Sequence, residues 1–213
     1  YIPGKLLPFT TYYWKVAASD GKASSTSPLW SFTTGPEPIA VPASTIITSV
    51  TSEEVRLSWV DNASNETGYI VERKTGINGS YIQIALLPAD ATTYTDQGVT
   101  GNTDYIYRVR AVNTWTASSY SVEVMAATAN NAPNVPSLPM PADSSTGQST
   151  NTLLSWTGGD PDYSDTVVYD VYFGTSGNPP LISKGQSETY FSLETLAPGN
   201  VYYWRIVATD SHG

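Results

Sequence analysis

The sequence of 213 residues has no cysteine, a single histidine and few cationic side chains. The lack of cysteine excludes disulfides, thiolate metal sites and cysteine nucleophiles, although it does not identify a cellular compartment. Lys and Arg together number 10 against 19 Asp and Glu, which gives a formal net charge of -9. Because a phosphate backbone would be repelled at long range, we expect no nucleic-acid partner.

Long apolar runs are also missing. No stretch approaches the roughly 20 apolar residues of a membrane span, so we expect no membrane insertion. Tyr1 leads directly into Ile-Pro-Gly-Lys without a basic and apolar leader, so we expect any export signal to lie upstream or to have been removed. The sequence is rich in Thr, Ser, Asn and Tyr, and 40% of its residues are hydrophobic. This composition is typical of all-β proteins with polar outer faces.

A repeat runs through the chain. Trp59 precedes Tyr105 by 46 positions, and Trp156 precedes Tyr202 by the same 46 positions. The two copies are offset by 97 residues, about the length of one β-sandwich domain. A partial third copy opens the chain at an offset of 190, where Leu6, Pro8, Tyr12, Tyr13, Trp14, Ala18 and Asp20 match Leu196, Pro198, Tyr202, Tyr203, Trp204, Ala208 and Asp210.

The local pattern is that of strands. Apolar residues alternate with polar ones in 55–59, 105–111 and 202–206, which predicts half-buried strands. No segment keeps a period of 3.6 residues over three turns, and turn pairs such as Asn78-Gly79 and Pro198-Gly199 separate the strands. The fold class is therefore predicted to be all-β.

An apolar residue lies six positions before a tyrosine in all three copies, at Leu6, Val99 and Leu196. Together with a Trp on the second strand, this spacing resembles the fibronectin type III module, over nearly the whole chain. The resemblance implies immunoglobulin-like sandwiches, each with a corner tyrosine whose hydroxyl bonds to backbone upstream. It also implies modules of the kind found in large secreted proteins of bacteria and archaea, and hence an extracellular or cell-surface location.

The repeat predicts three segments joined by short proline-rich linkers. Residues 1–37 form the first module and supply only its last two strands, Thr11 to Ser19 and Leu29 to Thr34. Residues 38–129 form a complete second module, and residues 130–213 form a third module without its last strand. Because proline restricts the backbone, the linkers 35–42 and 132–141 are expected to be stiff spacers.

No catalytic constellation is evident, and we predict that the chain is not an enzyme. His212, the only histidine, is interpreted as a loop residue, and no serine lies in a Gly-x-Ser-x-Gly elbow. Strand parity assigns Trp14, Trp30, Trp59, Trp156 and Trp204 to cores. Only Trp115 is expected to be exposed, which is thin support for contact with a polysaccharide.

One group of carboxylates suggests a ligand. Asp160, Asp162 and Asp165 fall within six residues of the loop after the Trp156 strand, and Asp210 follows a strand that ends on the same side. Carboxylate oxygens in a concave loop suit Ca²⁺, and the pattern resembles the Asp-Pro-Asp loops of calcium-dependent extracellular repeats. The alternative is a solvated acidic turn. No other cofactor is expected.

Three Asn-x-Ser/Thr sequons begin at Asn62, Asn65 and Asn78, all in predicted loops where a glycan could be carried. The alternative is a chance match to a short motif.

The sequence thus predicts a non-catalytic array that acts as a stiff spacer or as a subunit of a fibre or surface appendage. Its expected partners are neighbouring copies or further modules of the same chain, with contact to a surface or polysaccharide left open. The alternative is an accessory or adhesion segment of a secreted enzyme or adhesin whose activity lies on other domains.

Overall fold

A computed structural model describes residues 3–162 and 165–212, and these residues form strands, turns and loops without a helix. The all-β prediction is confirmed. The described residues accordingly include no helix with the length and apolarity that a membrane crossing needs. The strands are β1 (Thr11–Trp14), β2 (Ala17–Ser19), β3 (Ser24–Thr26), β4 (Trp30–Thr33), β5 (Ala43–Val50), β6 (Val55–Val60), β7 (Gly68–Thr75), β8 (Ile82–Pro88), β9 (Thr93–Asp96), β10 (Asp104–Val112), β11 (Val124–Ala127), β12 (Ser137–Met140), β13 (Leu153–Thr157), β14 (Val168–Gly174), β15 (Leu181–Gln186), β16 (Tyr190–Ser192) and β17 (Tyr203–Thr209).

The third module is a sandwich of two three-stranded sheets, in the orders β12-β13-β16 and β15-β14-β17. Alternate residues of β13 and β14 point inward, so Leu154, Trp156, Tyr169 and Val171 form its buried core. The Trp156 and Tyr169 rings meet edge to face with centroids 5.5 Å apart. Trp204, predicted to be core, is partly buried and packs against this cluster.

The second module has the same strand order with one strand more. One sheet runs β5-β6-β9, and the other runs β11-β10-β7-β8. Leu57 and Trp59 of β6 and Tyr69 of β7 are buried, and the Trp59 ring lies 5.8 Å from the Tyr69 ring. The predicted burial of Trp59 and Trp156 is thus confirmed, with 3% and 6% of each residue exposed.

All three predicted corner tyrosines make the expected bond. In each copy a backbone N–H five residues upstream donates to the tyrosine hydroxyl, which fixes the turn before the strand. The donors are Leu7 to Tyr12 at 2.8 Å, Thr100 to Tyr105 at 3.0 Å and Ala197 to Tyr202 at 3.1 Å.

The first module departs from prediction in two ways. The expected strand from Thr11 to Ser19 is interrupted, so that β1 pairs with β4, the second expected strand, while β2 forms a separate hairpin with β3, which was not predicted. Trp14 and Trp30 lie opposite each other with ring centroids 4.6 Å apart, yet they are 47% and 42% exposed. Their assignment to a core was wrong, because no second sheet in the described residues covers this two-stranded face.

The chain divides into two compact units. One comprises Tyr1–Ile47, Leu57–Tyr94 and Ile106–Met125, and the other comprises Thr48–Arg56, Thr95–Tyr105 and Ala126–Gly213. The second unit therefore contains the third module, the linker before it and two segments of the second module, residues 48–56 and 95–105. The candidate site lies entirely in this unit.

Candidate cation site in the acidic loop of the third module

The acidic loop, between β13 and β14, is described over residues 158–162 and at Asp165, and two glycines shape its start. A Cβ at Gly158 would lie 2.2 Å from the Tyr169 hydroxyl, and Gly159 has a φ of +128°, which disfavours other residues. Burial raises the pKa of Tyr169, and a hydrogen bond with the Gly159 backbone offsets this only in part. The glycines thus let the backbone turn sharply over a buried tyrosine.

Three of the four predicted calcium ligands come together in this loop. Asp160, Asp162 and Asp165 each offer a carboxylate oxygen, and these atoms lie within 4.8 Å of one another. Asp162 is only 2% exposed, and the side chain of Asp165 is only 3% exposed. Tyr163 and Ser164 of this loop lie outside the described residues.

Asparagine amides contact these carboxylates from outside the loop. Asn131 donates from its backbone N–H to Asp162 Oδ2 and from its side chain to Asp162 Oδ1, both at 2.7 Å. The side chain of Asn102, in the loop before β10, donates to Asp165 Oδ1 at 2.8 Å. Gly101 is buried here, and a Cβ on it would lie 2.3 Å from Asp162 Oδ1.

The fourth predicted ligand, Asp210, is not part of the three-carboxylate group. It is 7% exposed, accepts from the Asn130 side chain at 2.9 Å and caps the His212 N–H at 2.8 Å. His212 in turn places Nδ1 3.2 Å from Asp165 Oδ2, an ion pair when the imidazole is protonated. The only histidine is therefore attached to the acidic loop, a contact that sequence reasoning missed.

A second carboxylate group lies in the second module, where none was predicted. Oxygens of Asp61, Glu66 and Asp90 lie within 4.8 Å of one another. Asp61 accepts from the Tyr69 hydroxyl, and the backbone N–H of Asp90 donates to Glu66 at 3.4 Å. These carboxylates are more exposed than those of the third module. Sequence reasoning missed the group because Asp90 comes from a separate loop, after β8.

The three sequons differ in accessibility. Asn62 donates from Nδ2 to the Val41 carbonyl at 3.2 Å, and Asn65 donates from Nδ2 to the Pro38 carbonyl at 3.4 Å. A glycan on either nitrogen would compete with a bond to the linker. Asn78 lies in an exposed turn, so it offers the most accessible of the three predicted attachment points.

An ion pair on the outer face of the β7 and β10 pair has a structural role. Arg108 donates to Glu72 Oε2 at 2.6 Å and lies between the Tyr81 and Tyr120 rings, 3.7 Å from each centroid. Burial acts to raise the pKa of Glu72, but hydrogen bonds from Tyr120 and Arg108 outweigh it, so the pKa is lowered. Burial and the Glu72 carboxylate raise the pKa of Tyr120.

Trp115 is 66% exposed, as predicted, and its ring lies 5.5 Å from that of Phe9 at an angle of 57°. This tilt does not present one flat stacking surface.

No family model matches the chain. It is 30% identical to endoglucanase B of Cellulomonas fimi over 228 aligned positions, which cover 100% of this chain and 21% of that protein. It is 24% identical to a titin homolog of Caenorhabditis elegans over 186 residues, which cover 82% of this chain and 1% of that protein. The chain thus spans about a fifth or less of the length of these curated relatives.

Among solved structures, a segment of two fibronectin type III domains from chicken tenascin is similar, with a TM-score of 0.45 and 21% identity. The match covers 79% of this chain and 90% of that one. The fold assignment rests on the strand orders and the corner tyrosines.

Proposed function

Because the chain consists of tandem fibronectin type III-like modules, we propose that it is a non-catalytic, stiff spacer in an extracellular or cell-surface protein. The proposed segments are 1–37, 38–129 and 130–213. In this role the chain sets the distance and direction between whatever lies on either side of it. Its proposed partners are further modules or neighbouring copies, and assembly into a fibre or appendage is one form of the same role.

The observation that carries this proposal is the set of bonds around the linker before β12. Asn131 holds Asp162 on the third module, while Asn102 of the second module holds Asp165. The backbone N–H of Asn134 also donates to the Gly159 carbonyl at 2.9 Å. A linker that only tethers two domains needs none of these bonds, whereas a spacer that keeps a fixed angle does.

Small-angle X-ray scattering tests the stiffness. The 213-residue chain is compared with a variant carrying Asn102→Ala and Asn131→Ala. We expect the variant to show a larger spread of end-to-end dimensions at unchanged secondary structure, because the Asn102–Asp165 bond between the modules and the Asn131 side-chain bond beside their boundary are both lost. Scattering that is identical for both proteins would remove the support that these bonds give to a spacer role.

A second candidate function is an accessory segment of an enzyme or adhesin. It is favoured by the similarity to endoglucanase B, which extends over the whole of this chain but only 21% of that protein. The neighbouring sequence of the gene separates the two roles, since long runs of like modules favour the array and an adjoining catalytic domain favours the accessory segment. Electron microscopy of the material from its source tests the fibre directly.

A further inference from the structure

The buried carboxylates of the acidic loop in the third module have little positive charge around them to compensate their own. Asp162 and Asp165 have almost fully buried side chains, and the ligand oxygens of Asp160, Asp162 and Asp165 lie within 4.8 Å of one another. Carboxylates this close and this dry repel one another unless a cation compensates them. Among the described residues, the one ion pair of this group is the contact of His212 with Asp165.

A further observation is that two carboxylate oxygens of these residues are buried and receive no hydrogen bond from the described residues. Asp165 Oδ2 is buried on a side chain that is 3% exposed, and no hydrogen bond reaches it from the described residues. The His212 contact at 3.2 Å is not a hydrogen bond. Asp160 Oδ2 is likewise buried and without a hydrogen bond from these residues. Buried anionic oxygens of this kind are unfavourable unless they coordinate a cation.

The remaining carboxylate oxygens of Asp160, Asp162 and Asp165 already have partners, and two of these partners are asparagine side chains. Asn102 and Asn131 place their side-chain amides 2.8 and 2.7 Å from Asp165 and Asp162. An Asn amide turned by half a rotation presents its carbonyl oxygen in place of its NH₂ group. Asparagine carbonyls and aspartate carboxylates are both common calcium ligands.

We propose that Asp160, Asp162 and Asp165 bind one Ca²⁺ ion, with amide oxygens of Asn102 and Asn131 and water completing its coordination. Calcium accepts six to eight oxygen ligands in flexible arrangements, whereas Mg²⁺ demands near-octahedral geometry and keeps most of its water. A site assembled from the acidic loop, the linker and the loop at Asn102 suits the more tolerant ion. Asp210 has a supporting role, since it holds the side chain of Asn130, the residue before Asn131.

An ion at this location would also link segments that are far apart in the sequence. Its proposed ligands come from three segments: the loop before β10, the linker before β12 and the acidic loop. A single ion would therefore tie the second module, the linker and the third module together. This makes the stiffness of the spacer depend on calcium, a step that rests on the proposed function, whereas binding itself does not.

Isothermal titration of the metal-stripped 213-residue chain with CaCl₂ is the test of binding. We expect one equivalent to bind in the wild type, and no binding heat in Asp165→Asn or Asp162→Asn. The matched control is Glu66→Gln, which alters the other carboxylate group and should leave the equivalent in place. Circular dichroism of each variant shows whether it is folded. If an Asp variant fails to fold, Asn131→Ala replaces it, with affinity expected to fall about tenfold or more.

A flat titration of the wild type with CaCl₂ would overturn the site, as would binding that survives Asp165→Asn but is lost in Glu66→Gln. Heat with MgCl₂ alone would overturn the assignment to calcium. Scattering with and without CaCl₂ then separates the two proposals. Binding without a change in dimensions would leave the site standing and refute calcium-dependent stiffness, whereas a rigid chain that binds no calcium would leave the spacer role standing and refute the site.

Discussion

Asn131 holds the carboxylate of Asp162 with two hydrogen bonds of 2.7 Å, one from its backbone and one from its side chain. Asp162 is only 2% exposed, so its charge is stabilised mainly by these contacts and by any bound cation. The residues are 31 positions apart, and together they fix the residue just before the linker to the acidic loop of the third module.

Asn131→Ala removes the side-chain bond and leaves Asp162 Oδ1 with one donor fewer in a dry environment. We expect the free energy of unfolding of the third module to fall by about 1–3 kcal/mol, since losing a partner of a buried acceptor carries its desolvation cost. Urea denaturation in metal-free buffer measures this. The matched control is Asn134→Ala, whose exposed residue contributes to this region through its backbone N–H. Equal losses in both variants would contradict the role given to the Asn131 side chain.

Gly101→Ala tests the close approach of the second-module loop to the same carboxylate. The added Cβ would lie 2.3 Å from Asp162 Oδ1 and 2.6 Å from Asn131 Nδ2, so both must move. Overpacking of this kind costs about 1–3 kcal/mol. Gly177→Ala is the control, because a Cβ there meets nothing within 4 Å, and its effect should stay within about 0.5 kcal/mol. If thermal unfolding shows no difference between the two variants, Gly101 does not approach the acidic loop this closely.

Trp156→Ala should destabilise the third module by about 3–5 kcal/mol, because it leaves a cavity beside Tyr169 in the core. Trp115→Ala removes the same side chain at a site that is 66% exposed, so its cost should be about 0.5 kcal/mol or less. Tryptophan fluorescence and circular dichroism during denaturation measure both. A small loss for Trp156→Ala would show that the sandwich does not enclose this ring.

Much of the fold could be predicted from the sequence, because the same residue spacings recur in each module. The spacing of Trp156 and Tyr202 is set by strand length and by the corner bond, so it recurs wherever the module recurs. The alternation of apolar and polar residues along the strand placed Trp14 on an apolar face as well. This alternation does not reveal whether another sheet covers that face. Here the ring is 47% exposed.

Of the candidate site, the sequence could predict the carboxylates of one loop but not the residues that reach them from other segments. Asp160, Asp162 and Asp165 are neighbours in sequence, so their density was visible. Asn102 lies 63 positions from Asp165, and the approach of these residues depends on the path of the linker, which no local pattern encodes. The same applies to Asp90, which joins Asp61 and Glu66 from another loop.

Glu72 makes the stability of the second module depend on pH in a defined direction. Its folded pKa lies below the ordinary value of 4.5, because bonds from Tyr120 and Arg108 outweigh the effect of burial. A carboxylate with a lowered pKa contributes stability that is fully present above its unfolded pKa and is lost as the pH falls through the folded pKa. The free-energy difference between wild type and Glu72→Gln should therefore be largest near neutral pH and shrink below about pH 4.

Denaturation at a series of pH values measures this difference. Glu53→Gln is the control, since Glu53 is exposed in the turn between β5 and β6 and its removal should change stability little at any pH. A difference between wild type and Glu72→Gln that grows as the pH falls would contradict a lowered pKa for Glu72 in the folded protein.

A distance measurement across the linker tests the spacer role most directly. The natural chain has no cysteine, so Glu53→Cys and Lys184→Cys place two spin labels on exposed positions of the second and third modules without further changes. The spacer proposal predicts a single narrow distance distribution by double electron–electron resonance in buffer with CaCl₂, because in this proposal the bonds of Asn102 and Asn131 fix the third module relative to the second. A broad distribution, of the width that a freely jointed linker gives, would contradict the stiff spacer.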